Sequence, residues 1–492
     1  MLSSIEIENF KCISSRIRID VAPLTLLFGA NNAGKSTILQ SLLYLLELLQ
    51  RGHADVDCTE LGGEHLDLCG FARIVYSHDL TRTLAIRVTF DTPLSLNCFG
   101  RDLAGFPFRN LDDEVESAWI EARVRWLDAP GGGAPFVSEL LIGIPGAPDP
   151  IVRLWISQTP REGDPLHAAI NLGHPLLTAD AEAKAAFFEG MPVAEEGSEL
   201  IDVAVSRGTR ASLVPSLDEP LRLVVLDDRE PPPAVSWATS LIEMLVLGTA
   251  RQLVVALREA IHVGPLRAVP PRGFLSERSA RVTRWADGLA AWDALLADRN
   301  GLVRRTNTWL QRLGAGCKLV VQQLFDPRAS VEALSAEHGE ATIRRLLLEV
   351  GPQTVLPCEV GAGISQIVPI LVAALHGSRR GLVLLEQPEL HVHPALQVAL
   401  GDFFIEASRE RQLIVETHSE HLLLRLLRRI RETTENDLPD GAPAFTHDRL
   451  SVLYVEAGDD GMQVRKLRVD PTGEFMDRWP KGFFEERAEE VF

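Results

Sequence analysis

Cysteine is scarce in this chain of 492 residues, and its six cysteines include no C-x-x-C pair. Zinc sites and disulfide frameworks use closely spaced cysteines, so scattered reduced thiols are the better interpretation. Positive charge is also in deficit, because 49 lysines and arginines face 68 aspartates and glutamates, for a formal net charge of −19. This balance argues against a protein that binds polyanions over its whole surface, but it allows a local basic groove.

Long apolar runs are missing as well. The most apolar helical pattern covers residues 38–49, which is too short to cross a bilayer, and the first twelve residues read as a strand and not as a signal peptide. We therefore expect a cytoplasmic protein with no membrane contact. Hydrophobic residues make up 46% of the chain, enough for a large core divided into two or three substructures.

A glycine-rich motif lies near the N-terminus, between an apolar run and a leucine-rich helical pattern. It has the form G-x-x-x-x-G-K-[ST], with strand before and helix after, as a phosphate-binding loop requires. The glycines let the backbone approach a phosphate, successive N–H groups form an anion cradle, the lysine reaches the β- and γ-phosphates, and the serine hydroxyl can bind Mg²⁺. The motif predicts ATP or GTP binding by Gly29, Ala30, Asn31, Asn32, Ala33, Gly34, Lys35, Ser36 and Thr37.

Two apolar strand patterns near the C-terminus end in polar residues. The first, residues 381–386, ends in Glu386, and a carboxylate at a strand end is what a Mg²⁺–nucleotide site needs. The second, residues 412–416, is followed by His418, which can reach the γ-phosphate or the attacking water. The alternative for His418 is a buried histidine with only a structural role.

A second glycine-rich turn precedes the helical pattern that begins near residue 364. It contains Gly361, Gly363, Ser365 and Gln366, and a helix N-terminus of this kind binds phosphate. One loop of the chain already cradles the phosphates, so we expect this second loop to cap the nucleotide held by another copy.

The organisation of the chain follows from its patterns. Residues 95–232 show short strand patterns between proline and glycine clusters, which indicates an inserted antiparallel β section, and helical periodicity follows over 236–262. We therefore predict four parts: residues 1–94 and 346–492 form the two halves of the nucleotide-binding core, 95–234 the inserted β section, and 235–345 a helical lobe.

These elements, in this order, resemble the ABC-type ATPase heads of the RecF, SMC and OLD (overcoming-lysogenisation-defect) group. The segments that carry the likeness are ENFKCISSRIRID, PLTLLFGANNAGKST, LLEQPELHVHP and IVETHSEHLL. More narrowly, GPLRAVP, VGAGISQIVP, ETHSEHLLLRLLRRI and WPKGFFEE resemble a bacterial branch of AAA-labelled ATPases that end in a domain of unknown function. Members of that branch often occur in antiphage defence operons. The resemblance covers residues 1–90 and 260–492.

The resemblance implies a fold, cofactors and residue roles. The fold would be an α/β P-loop NTPase of the ABC-type head kind, with a mixed sheet, an inserted antiparallel β section and a helical lobe. ATP would bind the 29–37 loop, Ser36 and Glu386 would hold Mg²⁺, residues 361–366 would act in trans across a homodimer or higher oligomer, and His418 would sense the γ-phosphate.

Two departures from the family pattern matter. Gln387 stands where the family usually has a catalytic glutamate, and a glutamine cannot accept a proton from water, so we expect slow hydrolysis or help from Glu389, His391 or His393. The acidic set of a Toprim nuclease does not follow His418, and Asp459-Asp460 read as a hairpin turn. A nuclease-like effector would therefore be a separate protein from the same operon.

The expected function is an ATP-driven dimerisation switch that controls such an effector in antiviral defence. One alternative is a DNA-maintenance ATPase of RecF type, and another is a scaffold with structural ATP. Arginines at 425, 428, 429 and 431 suit either DNA phosphates or a solvated helix face. Arg267 and Arg272 are weaker candidates for reaching the nucleotide or coupling it to the helical lobe.

Overall fold

The structure is a computed structural model of the whole chain. It describes residues 1–63, 66–91, 115–128, 132–147, 149–156, 166–178, 200–205, 214, 217, 219–221, 233–272, 274, 282–325, 342–377 and 381–479. The proline cluster at 231–233 falls partly outside these residues, and the closing motif WPKGFFEE falls almost wholly outside them.

Strands alternate with helices at both ends of the chain, and strands dominate between them. In chain order, strands β1 to β17 are Leu2–Glu8, Ile17–Asp20, Leu24–Gly29, Leu84–Asp91, Ser117–Leu127, Ala134–Gly143, Val152–Trp155, Leu166–Asn171, Leu200–Val205, Ile261–Val263, Cys317–Phe325, Thr342–Val350, Gln353–Val355, Leu382–Glu386, Gln412–Glu416, Leu450–Gly458 and Gly461–Leu467. Helices α1 to α10 are Lys35–Arg51, Phe71–Ile74, Pro175–Thr178, Pro233–Ile242, Thr249–Arg258, Leu289–Ala297, Leu302–Arg312, Ala362–Leu375, Pro394–Ala407 and Glu420–Thr434.

The first sheet is antiparallel throughout and has eight strands in the described part of the chain. Their order is β2-β1-β4-β5-β6-β7-β8-β9. Strands β5 to β9 belong to the predicted inserted section, and β5 pairs directly with β4, with Ile86 opposite Ala122. The antiparallel section therefore continues the sheet that the N-terminal strands begin. The boundaries predicted at residues 94, 234 and 345 stay predictions.

A buried carboxylate forms ion pairs with three arginines on this first sheet. The side chain of Glu121 on β5 is 0% exposed and accepts hydrogen bonds from the guanidinium groups of Arg16, Arg87 and Arg123. Burial alone would raise the pKa of Glu121, but the hydrogen bonds and charges of these arginines lower it to about 2 from an ordinary 4.5. The ion pairs connect β5 to β4 and to the segment that leads into β2.

The second sheet has the order β10-β14-β15-β3-β16-β17 and is parallel except for the β16–β17 hairpin. Asp459 and Asp460 form the turn of that hairpin, as the sequence predicted. Strand β3, from the N-terminus, lies between β15 and β16, from the C-terminus. Because parallel strands bring their carboxyl ends to one edge, the ends of β3, β14 and β15 lie together.

The two faces of this second sheet are covered by different cores. Leu27 of β3 packs in a core with α1, the helices of residues 233–258 and the first sheet. Leu24, Leu26 and Phe28 of the same strand face a core built from helices α6 to α10 and from the separate three-stranded sheet β11-β12-β13. The predicted α/β fold with a mixed sheet and a helical part is confirmed.

A long apolar helical segment packs on the first core. Helices α4 and α5 are joined by a π-helical turn, Glu243–Gly248, whose Glu243 accepts a hydrogen bond of 2.8 Å from the backbone N–H of Leu221. Among the described residues, Ser236–Arg258 is the helical segment long and apolar enough to cross a membrane, and 72% of its most apolar window is buried inside the molecule.

Candidate functional site

The loop between β3 and α1 has the backbone of an anion cradle. Gly29, Asn32 and Gly34 have φ angles of +148°, +63° and +97°. Gly34 caps α1, and no acidic residue stands in the first turn of that helix. The loop therefore presents N–H groups and the positive end of a helix dipole without a nearby acidic residue in that turn.

Gly29 is required here by its neighbour as well as by its backbone angle. A Cβ at this position would overlap the backbone carbonyl oxygen of Val455 on the adjacent strand β16. We predict that Gly29→Ala lowers the free energy of unfolding by about 2–4 kcal/mol, because backbone strain and overlap add. Urea denaturation followed by circular dichroism measures the change.

A matched control for Gly29→Ala separates the two contributions. Gly132 has a similar φ of +133°, but an added Cβ would meet nothing within 4 Å. Gly132→Ala should therefore show only the cost of backbone strain. Equal losses in the two variants would show that the contact with Val455 does not constrain the loop.

Lys35 lies inside the loop and is 4% exposed. Its Nζ donates hydrogen bonds to the carbonyl oxygens of Gly29 at 3.1 Å and Ala30 at 2.8 Å, and it lies 3.9 Å from Glu416 Oε1. Burial lowers the pKa of Lys35, while the charge of Glu416 opposes this change. The amine is thus held by the loop at the position from which it can reach a phosphate.

Ser36 contacts a carboxylate that the sequence analysis did not select. Its Oγ donates a hydrogen bond of 2.6 Å to Glu416 Oε2, at the end of β15. Glu416 is buried, and burial raises the pKa of its carboxyl, opposed by the Ser36 hydrogen bond. The predicted partner of Ser36 in holding a metal was Glu386.

Glu386 lies beside Glu416 and is held by a histidine. The two glutamates are register partners at the ends of β14 and β15, and Glu386 Oε1 lies 2.7 Å from His262 Nε2 on β10. Sequence reasoning missed His262, because a contact across 124 positions leaves no local pattern.

The donors at this sheet edge fit Mg²⁺ held together with a nucleotide. Magnesium prefers oxygen ligands and is usually held by one or two carboxylates together with substrate phosphates. Ser36, Glu386 and Glu416 provide oxygen atoms of that kind. No group of three or more His, Cys, Asp or Glu side chains that could hold a metal ion occurs among the described residues.

Glu389 stabilises the loop that carries His418. Its carboxylate accepts hydrogen bonds from the His418 backbone N–H at 2.6 Å and from Thr417 Oγ1 at 2.8 Å. Burial raises the pKa of Glu389, and these bonds oppose the change. Two causes lower the pKa of His418: burial, which is the larger, and the positive charge of Lys35. The imidazole therefore interacts electrostatically with a residue of the phosphate loop. The assignment of His418 as a γ-phosphate sensor stays a prediction.

Gln387 occupies a left-handed backbone conformation, with φ of +45°. Its N–H donates to the carbonyl oxygen of Glu416 at 2.8 Å, and its own carbonyl oxygen accepts from Arg267 Nη2 at 2.9 Å. Both contacts use the backbone, so they fix the loop after β14 independently of the side chain.

Arg267 couples this loop to helix α8. Its Nε donates to Gln366 Oε1 at 3.1 Å, and Gln366 Nε2 donates to the Arg267 carbonyl oxygen at 2.7 Å. Burial lowers the pKa of Arg267 to about 10. Arg272, by contrast, is exposed and forms a 3.4 Å ion pair with Glu359.

The 361–366 loop turns its polar side chains inward. Ser365 is 1% exposed and its Oγ donates to the Ala362 carbonyl oxygen at 3.0 Å, while Gln366 is occupied by Arg267. A Cβ added at Gly361 would meet nothing within 4 Å. The backbone at the start of α8, and not its serine or glutamine side chain, is therefore the part of this loop open to a ligand.

The remaining candidates have structural contacts. His393 caps α9, with Nδ1 accepting from the Ala395 N–H at 3.2 Å. The four arginines of α10 form ion pairs within the chain: Arg425 and Arg429 with Asp402, Arg428 and Arg429 with Glu432, and Arg431 with Glu474. These contacts favour a structural role for that helix face over DNA contact.

A G-x-x-x-x-G-K-S loop between strand and helix, with two carboxylates at the ends of neighbouring parallel strands, defines a P-loop ATPase site. Two family models agree with this class. Residues 1–99 match one described as "AAA ATPase domain", and residues 352–425 match one described as "AAA domain, putative AbiEii toxin, Type IV TA system". Two stretches of the chain that lie far apart in sequence are thus similar to AAA ATPase domains, and AAA ATPases generally bind ATP with Mg²⁺.

Solved structures of SMC heads align with this chain at low similarity. The SMC head domain from Thermotoga maritima has a TM-score of 0.37 and 9% identity, over 95% of this chain and 99% of that one. The Pyrococcus furiosus SMC head with an extended coiled coil, bound to the C-terminal domain of ScpA, has a TM-score of 0.38 and 12% identity, over 100% and 98%. Scores below 0.5 are too low to inform function. The comparison with curated proteins found no match.

Proposed function

We propose that this protein is an ATP-driven dimerisation switch with slow hydrolysis. In the closed state two chains enclose two ATP molecules, and each site combines the phosphate loop of one chain with the 361–363 backbone of the other. The observation that supports the proposal is that one chain has two separate glycine-rich turns, each at a helix N-terminus. At the second turn the backbone of Gly361 is exposed, while the side chains of Ser365 and Gln366 face inward.

The position of α8 supports a composite site. This helix packs on α6, α7, β10 and β14, whereas the phosphate loop follows β3. Strands β14 and β3 are separated by β15, so two strand spacings, or about 10 Å, lie between them. The helix that begins with the 361–363 backbone thus packs on strands other than β3, and we propose that a second copy supplies this backbone to the nucleotide.

Slow hydrolysis follows from the groups around the nucleotide. Gln387 cannot act as a general base, and the carboxylate of Glu389 already accepts two hydrogen bonds from the 417–418 loop. Bound ATP then stabilises the assembled state, and its hydrolysis does not drive rapid cycles of movement.

We predict that Gln387→Glu increases the rate of phosphate release by about 10²-fold or more, because general-base catalysis typically contributes that much. The native loop is held through its backbone, so the substitution should leave the fold intact. Single-turnover phosphate release measures the effect. The double variant Gln387→Glu with Lys35→Ala is the control and should be inactive; an unchanged rate in the single variant would place the base elsewhere.

Subunit mass tests the switch directly. Light scattering with and without ATP–Mg²⁺ should show ATP-dependent assembly, and phosphate release should stay slow. Lys35→Ala removes the phosphate contact, and Gly361→Arg adds a long side chain before α8, at a position where an added Cβ meets nothing within 4 Å. Both variants should fold and stay unassembled. Fast turnover with no change in mass would contradict this proposal.

The switch is proposed to control a separate, nuclease-like effector in antiviral defence. The family model matched by residues 352–425 names a toxin of a type IV toxin–antitoxin system, which supports an association with a toxic activity. Capture of the product of a neighbouring gene by the tagged protein in ATP, but not by Lys35→Ala, is the expected result. Equal capture by both would mean that ATP does not control the partner.

A further inference from the structure

We propose that Glu416 is a cation-holding carboxylate of the nucleotide site, and that it shares Mg²⁺ with Ser36 when ATP binds. This inference rests on the proposed ATP-binding function and adds a residue to it. Glu386 is then the second carboxylate of the site, oriented by His262, and is not the sole acidic ligand.

The first argument is contact. Ser36 carries the hydroxyl that a phosphate-binding loop offers to Mg²⁺, and in this structure that hydroxyl donates to Glu416 at 2.6 Å. One oxygen of Glu386 is instead directed at His262, 2.7 Å away. A cation that reaches Ser36 Oγ therefore arrives next to Glu416.

The second argument is burial. The Glu416 side chain is 5% exposed, and it forms an ion pair with Lys35 Nζ at 3.9 Å, close to the distance limit of such a pair. When Lys35 moves to the phosphates of ATP, Glu416 loses part of that compensation. A buried carboxylate without a compensating cation is costly, so another positive charge is needed at the same place.

The third argument is the balance of charge at the sheet edge. Glu386, Glu389 and Glu416 interact electrostatically there, against the cations Lys35 and Arg267. The phosphates of ATP add further negative charge to a site already rich in carboxylates. Attraction is restored by a divalent cation placed between carboxylates and phosphates.

The register of the strands allows both glutamates to serve one ion. Glu386 and Glu416 are paired across β14 and β15, and directly paired residues of neighbouring strands point to the same side of a sheet. Their separation of about one strand spacing suits two oxygen ligands of a single cation.

The test measures binding and not turnover. Calorimetry follows the binding of adenylyl imidodiphosphate, a non-hydrolysable ATP analogue, first in EDTA and then at increasing Mg²⁺ concentrations. Glu416→Gln removes the charge, but its amide oxygen still accepts a hydrogen bond from Ser36. In EDTA this variant should bind the analogue as tightly as wild type or several-fold more tightly, because one repulsive charge is gone. Mg²⁺ should increase the affinity for the analogue, and the Mg²⁺ concentration that gives half of this increase should be about tenfold or more higher in Glu416→Gln than in wild type.

The opposite directions of the two effects distinguish a cation-holding role from a structural one. A structural defect would weaken binding by the same factor with and without Mg²⁺, and that result would overturn the inference, as would unchanged behaviour. Glu416→Asp, which keeps the charge but shortens the reach to Ser36, should retain the repulsion in EDTA and still need more Mg²⁺. Glu406→Gln, at a partly exposed position of α9 that pairs with Arg312, is the matched control and should behave as wild type.

The outcomes also separate this inference from the proposed function. Suppose that the wild-type protein binds the analogue in a Mg²⁺-dependent way. If Glu386→Gln abolished this dependence while Glu416→Gln left it unaltered, the role of Glu416 alone would be overturned. Wild-type protein that binds no analogue under either condition would overturn ATP binding and this inference together.

Discussion

Lys35→Ala is expected to weaken ATP binding by about 10²- to 10³-fold, which is the largest effect we predict on function. The buried amine supplies the positive charge nearest to the phosphates, and charge-assisted hydrogen bonds in a water-poor site are strong. Calorimetric titration with adenylyl imidodiphosphate and Mg²⁺ measures the loss.

Lysine removal has a control at an exposed lysine of the second sheet. Lys466 on β17 forms an exposed 3.3 Å ion pair with Asp20, and Lys466→Ala should bind the analogue as wild type does. Thermal unfolding of both variants checks that each is folded. If Lys35→Ala bound the analogue within about threefold of wild type, the assignment of the loop as the phosphate site would be wrong.

Glu121→Gln is expected to lower the free energy of unfolding by about 3–5 kcal/mol at pH 7, which is the largest effect we predict on stability. Removing the negative charge leaves Arg16, Arg87 and Arg123 facing one another around a fully buried side chain. Loss of one member of a buried ion pair typically costs this much. Urea denaturation at pH 7 measures the change.

The same carboxylate makes stability depend on pH. Because the folded pKa of Glu121 is depressed to about 2 from 4.5, its contribution is fully present above about pH 4.5 and is lost as pH falls toward 2. The shift corresponds to roughly 3 kcal/mol. Wild type should therefore lose stability in this window, and Glu121→Gln should lose correspondingly less.

Glu456→Gln provides the comparison for this second prediction. Glu456 forms a 3.3 Å ion pair with Arg465 at the surface, so its replacement should cost less than about 1 kcal/mol. A Glu121→Gln variant that matched Glu456→Gln at pH 7 would show that the buried network contributes little net stability.

The phosphate loop was predictable because all of its information is local. The motif lies within one short segment, in which a strand is followed by the glycines, by Lys35 and by a helix. The spacing of these residues alone defines it. The hairpin at Asp459 and Asp460 was predictable for the same reason. The α/β class also followed from the alternation of apolar strand and helix patterns at the two ends of the chain.

Glu416 could have been found by a rule already applied to Glu386. Both residues end a short apolar strand, and parallel neighbours place their ends together. His418, two positions later, is the more conspicuous residue of this segment, because a histidine after a strand suggests catalysis more readily than a glutamate within it. A strand-end acid on each of two parallel strands is therefore a signal for a paired site.

Other features depended on distant contacts that no local pattern records. His262 reaches Glu386, and Arg267 reaches Gln366 and Gln387, only after β10 has joined the edge of the second sheet. The continuation of β4 into β5 likewise depends on strand register, which a single sequence does not specify here.

The position of β3 has a consequence for synthesis on the ribosome. Leu24 pairs with Leu413 on one side and with Leu450 on the other, so both neighbours of the phosphate-loop strand are made long after it. At about 5–20 residues per second, that apolar strand waits roughly 20–80 seconds for its partners. A nascent chain interrupted before β15 lacks the strands that enclose β3 and can assemble no working nucleotide site. Translation must pass residue 455 before both neighbours of β3 exist, and the unpaired strand exposes apolar surface that chaperones bind.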